Sequence, residues 1–129
     1  LQAKTLALLR KLQTNPFSPL YIMKLMKIIP SKNKGKKYVA YFMLPTGKER
    51  AVHFGASGYR DYTLISDKKS KFYIKDKAAR EKVKAAYISR HSKENWSKPD
   101  TAGTLSRYIL WSTPSLGGSI RNFKKRFGV

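Results

Sequence analysis

Basic residues outnumber acidic ones four to one, 28 Lys and Arg against 7 Asp and Glu, leaving a formal charge of +21 on 129 residues. The excess is not a tail effect: residues 16–48 and 101–129 contain no acid at all. This constrains folding before any motif is read. Like charges repel on compaction, so the chain must cohere through apolar burial and keep its cations at the surface. Such a surface is neutralised by a nucleic-acid backbone, an anionic membrane or an acidic protein.

The apolar material is sufficient. Hydrophobic residues make up 41% of the chain and include 8 Tyr, 6 Phe and 2 Trp, too many for a disordered basic tail. The length suits one domain, with room for an arm. There is no Cys, so neither a disulfide framework nor a thiolate metal site can form, which fits a reducing compartment. No apolar run approaches a membrane span. The chain opens on Leu1, as expected of a processed form or of one piece of something longer. Leu6 to Leu9 is followed by no cleavage pattern, so no signal peptide is expected.

The punctuation divides the chain. Leu1, Leu8, Leu9 and Leu12 recur at helical spacing up to Asn15-Pro16, where Pro ends the ladder. Residues 1–19 therefore read as a helical arm and linker, and 20–129 as one basic domain. The arm is compatible with packing on its own core or with docking on a neighbour, and Leu1, Leu8, Leu9 and Leu12 are the candidate docking residues. Leu20 to Ile29, Tyr38 to Leu44 and Arg50 to Phe54 read as three strands of an antiparallel meander, joined by a lysine-rich loop and by Pro45-Thr-Gly-Lys48. Tyr59 to Ile65 reads as irregular or briefly extended. Asp76 is an expected N-cap of a helix reaching about His91. Asp100 or Thr101 caps a second helix through Trp111. Thr113-Pro114 starts a third, Pro suiting a first helical position, with an apolar stripe of Leu116, Ile120, Phe123 and Phe127. The expected class is α+β: a small three-stranded antiparallel sheet followed by three helices, with the N-terminal arm.

Catalytic patterns are absent from the sequence. Two His and seven acids make no HxxxH, no close carboxylate pair and no G-x-S-x-G. No catalytic residue, metal site or cofactor is expected. The basic clusters are better developed. Lys32, Lys34, Lys36 and Lys37 in one loop, and Arg121, Lys124, Lys125 and Arg126 in the last helix, are the candidate anion or nucleic-acid contacts. Lys outnumbers Arg 20 to 8. Lys acts as a point charge rather than a bidentate reader, which favours phosphate contact over base recognition. Aromatics adjoin cations at Lys37-Tyr38, Tyr59-Arg60 and Lys71-Phe72-Tyr73; exposed rings there could stack on bases, although strand aromatics more often pack in a core.

One run of elements stands out: Val52-His-Phe-Gly55, Tyr59-Arg-Asp-Tyr-Thr63, Tyr87-Ile-Ser-Arg-His91, Trp96, Thr101-Ala-Gly103, Ser106, Leu110-Trp111, Pro114, Ser119-Ile120 and Lys125-Arg-Phe127. From about Ala51 onward it resembles a family of small basic proteins of unassigned function from large nucleocytoplasmic DNA viruses. The resemblance implies a viral gene product. It marks Tyr59, Asp61, Arg90, His91 and Trp96 as a cluster that is either a site or a structural hydrogen-bonding group. The lysine-rich spacer from Thr63 to Asp76 departs from the pattern.

Charge, core and resemblance together support a non-enzymatic virion structural protein. It would be a minor capsid or internal component that bridges larger shell proteins. The expected partners are other virion proteins, together with viral DNA or the anionic inner membrane surface. The expected location is the virion, and the host cytoplasm or viral factory during assembly. The alternative is a non-specific DNA-binding protein of genome packaging or replication.

Overall fold

The computed structural model describes residues 23–129. The arm, with Leu1, Leu8, Leu9 and Leu12, lies outside the described residues, as does the proposed start of the first strand at Leu20. Within the described residues an antiparallel sheet precedes four helices, an α+β fold.

Strands β1 (Lys24–Pro30), β2 (Lys36–Met43) and β3 (Glu49–Ala56) pair in the order β1-β2-β3. The β2–β3 connection closes as its Pro-Thr-Gly chemistry dictates: the Gly47 amide donates to the Leu44 carbonyl at 2.9 Å, and the Leu44 amide to Lys48 at 2.8 Å. Register sets Tyr38 opposite Phe54 and Ala40 opposite Val52, and Leu25 opposite Phe42. With a two-residue period these side chains share one face, the one that meets the helices. A bulge between Leu25 and Lys27 adjusts β1 to that register. The lysine-rich loop is shorter than expected, because Lys36 and Lys37 already belong to β2.

A short helix, α1 (Tyr62–Ile65), occupies the stretch expected to be irregular. Asp61 creates it: its carboxylate accepts the Leu64 amide at 3.0 Å, supplying a partner for a free helix-terminal donor. The next helix, α2 (Lys77–Arg90), starts at the expected cap, Asp76, and ends at His91. Thr101 caps α3 (Ala102–Leu105), which passes directly into a π turn (Ser106–Leu110) ending at Trp111. The last helix, α4 (Leu116–Phe127), begins later than Pro114. Ser115 is its cap, accepting the Gly118 amide at 3.0 Å, and Pro114 precedes the helix instead of opening it.

Phe42 and Phe54 from the sheet, Ile65 from α1, Leu105, Ile109 and Leu110 from α3 and the π turn, and Phe123 from α4 are fully buried together. Each contributes about 1.5–3 kcal/mol relative to exposure. This core fixes α3 against β3 and α4 against the π turn. It leaves a cleft where the end of α2 approaches the start of β2.

Candidate functional site: a cationic cleft with an aromatic floor

The cleft has a volume of about 430 Å³. One wall is Lys36 and Lys37 at the start of β2, Gly55 and Ala56 at the end of β3, and the Tyr59-Arg60-Asp61 loop. The opposite wall is Tyr87, Arg90 and His91 from the end of α2, with Glu94 beyond it. Gly103, Ser106, Leu110 and Trp111 close it from below.

Gly55 allows the walls to meet. It has φ 81°, and a Cβ there would lie 2.8 Å from Leu110 Cδ1. Glycine is needed both for the left-handed backbone and for the close approach.

The electrostatics divide into a neutralised base and an open rim. Asp61 is buried, and Lys37 Nζ meets its carboxylate at 2.6 Å. The same ammonium donates to the Tyr59 carbonyl at 2.6 Å, and Thr63 Oγ1 donates to Asp61 at 2.5 Å. Lys37 and Asp61 therefore satisfy each other and brace the loop between them. Lys36, Arg60 and Arg90 are exposed, and none of the three pairs with a carboxylate among the described residues. The Tyr59 ring between these cations is 71% exposed.

The floor is aromatic. Tyr87 stacks on Trp111 with centroids 4.3 Å apart and planes 8° from parallel, and His91 lies over its other side at 4.3 Å. His91 Nδ1 is bonded to Glu94. Burial pushes the Tyr87 phenol up to about 12; the Glu94 charge adds to this, and Arg107 and Arg90 oppose it. Tyr87 thus stays a neutral part of the floor. Among the described residues no group of three or more His, Asp or Glu is placed to hold a metal ion.

The structure brings Lys36, Lys37, Tyr59, Asp61, Arg90 and His91 to this cleft. Trp96 does not line it: the indole packs edge-on to Tyr108 at 6.3 Å, with Arg107 over its face at 5.6 Å. Lys32 and Lys34 project from the β1–β2 loop into solvent. Arg121, Lys124, Lys125 and Arg126 form a separate exposed face on α4, where Arg126 sits 4.3 Å over the Tyr108 ring. Lys37 differs from the other candidate contacts, because its ammonium is committed to Asp61. Sequence reasoning missed Arg60, Glu94 and the Tyr87–Trp111 stack as parts of one site. The adjacency of Tyr59 and Arg60 was the available signal.

A family model described as a family of unknown function (DUF5754) matches residues 26–75. The matched stretch supplies the Lys36, Lys37, Tyr59, Arg60 and Asp61 side of the cleft. No curated protein and no solved structure matches the chain.

Proposed function

We propose that this chain is a non-enzymatic nucleic-acid-binding protein that holds a phosphate backbone at the cationic cleft. One observation carries the reading: Lys36, Arg60 and Arg90, from three separate parts of the fold, line one concave surface without carboxylate partners. Exposed cations are ordinarily solvated singly on convex surface, and a shared concavity instead focuses their field on one ligand. A flat membrane surface matches a concavity poorly, whereas a polyanionic chain can enter it. Lys32, Lys34 and the α4 face extend the positive field without adding to the concavity.

The test is binding of a labelled oligonucleotide across a salt series. Each neutralised phosphate contributes about 0.7–0.9 to the slope of log affinity against log salt. The combined Lys36→Ala, Arg60→Ala and Arg90→Ala variant should weaken binding and flatten the slope by about two to three. Lys32→Ala with Lys34→Ala should have the smaller effect. Unchanged affinity and slope in the triple variant would overturn the proposal.

The second reading is a virion component bridging shell proteins, in keeping with the resemblance to proteins of large DNA viruses. Its support is β1, an edge strand on which Met26 is 56% and Ile29 39% exposed. Edge strands offer unpaired backbone groups to another chain. Ordered copies against the shell in intact particles would favour this role, and copies recovered only with extracted genome would favour the first.

A further inference from the structure

We infer that the cleft takes single-stranded rather than duplex nucleic acid, with Tyr59 as a stacking platform for an unpaired base. The inference rests on the proposed nucleic-acid binding and narrows it. A duplex turns phosphates and sugars outward and keeps its base faces stacked inside, so a binder of duplex backbone needs cations and has no use for accessible rings. This cleft has both. Its rim is Lys36, Arg60 and Arg90, and its accessible rings are Tyr59 and His91.

Tyr59 is held as a platform would be. Its amide donates to the Ala56 carbonyl at 3.4 Å, and its carbonyl accepts Lys37 Nζ at 2.6 Å. The backbone is thus fixed on both sides while the ring stays 71% exposed, an arrangement that loses little entropy when a base arrives. His91 offers a second position. Tyr87 and Trp111 already form a column beneath it, and the His91 side chain remains 40% exposed. A base laid on its outer side would extend that column. The volume, about 430 Å³, falls in the range of small-ligand sites, about 300–1,000 Å³. It suits a short run of unstacked nucleotides and not a base-paired helix. Cations tracking the backbone beside rings that take successive bases are the two parts of a sequence-tolerant single-strand site.

The experiment measures anisotropy of a labelled oligo-dT and of a labelled duplex hairpin with the same number of phosphates. The protein is the full chain, with Tyr59→Ala, Tyr59→Phe and the Lys36, Arg60 and Arg90 triple Ala variant beside it. Circular dichroism first checks that each variant is folded. The single strand should bind about tenfold more tightly than the duplex. Tyr59→Ala should remove about that factor for the single strand and leave the duplex unchanged, while Tyr59→Phe keeps it. Equal affinities for both probes, or a Tyr59→Ala loss shared equally by both, would overturn the inference. If the triple variant alone loses binding to both probes, the cationic cleft stands as a backbone site and the single-strand preference falls. If poly-glutamate displaces oligo-dT at equal charge, the site recognises acidic chains generally and the inference falls.

Discussion

The Lys37 ammonium and the Asp61 carboxylate meet at 2.6 Å, with their side chains 13% and 2% exposed. Removing one member of so buried a pair leaves the other as an uncompensated charge, at a cost of about 3–5 kcal/mol. Asp61 also caps α1. Asp61→Ala should therefore lower stability in urea unfolding by about that amount. Asp61→Asn should cost less, because an amide oxygen can still cap the helix.

Gly55→Ala combines a left-handed backbone with a Cβ placed 2.8 Å from Leu110 Cδ1. Strain and overpacking act together, and the expected loss is about 2–4 kcal/mol in thermal or urea unfolding. Gly47→Ala is the control. It shares the positive φ but has open space around it, so it should show the smaller, conformational part alone.

The Tyr87 phenol ionises near 10 in the unfolded chain and at about 12 when folded. Its contribution to stability is complete below pH 10 and is lost as the pH rises to 12, because the unfolded state gives up its proton first. Lysines discharge over the same range and relieve repulsion, so wild type alone mixes two opposing effects. The difference from Tyr87→Phe separates them. Relative to that variant, wild type should lose on the order of 2 kcal/mol between about pH 9 and about pH 12, read from denaturant midpoints.

Three ion pairs form among the described residues of a chain carrying +21. Most of its cations therefore repel without compensation. Added salt should raise the melting temperature by screening that repulsion, while it weakens oligonucleotide binding. If melting temperature and affinity both fell with salt, uncompensated repulsion would not be what limits the fold.

The features legible in the sequence are those fixed by near neighbours. Asp76 could be recognised as a cap because its partner is two residues away. The β2–β3 hairpin followed from Gly47 and its flanking strands, and the α4 stripe from its period. The start of α4 was misplaced because Pro114 and Ser115 both suit a helix entrance, and the Gly118 amide decides between them. The α1 helix was missed because four residues give no readable period. The cleft was legible in part. Tyr59, Asp61, Arg90 and His91 were singled out together, and Lys36 and Lys37 as a charge cluster. The junction of these groups depends on Lys37 reaching Asp61, 24 positions away, and no local pattern encodes that. Trp96 was grouped with the site although its surroundings are Arg107 and Tyr108.

The π turn counts residues. Over Ser106–Leu110 the backbone closes on a five-residue repeat, with the Trp111 amide donating to the Ser106 carbonyl at 3.1 Å. Deleting one residue there would restore the ordinary helical repeat and turn everything downstream by about 100°. Trp111 would swing from beneath Tyr87, and Leu110 would leave Gly55. Within these five positions the number of residues matters more than their identity. A codon lost here would undo the floor of the cleft, while many single replacements would leave it standing.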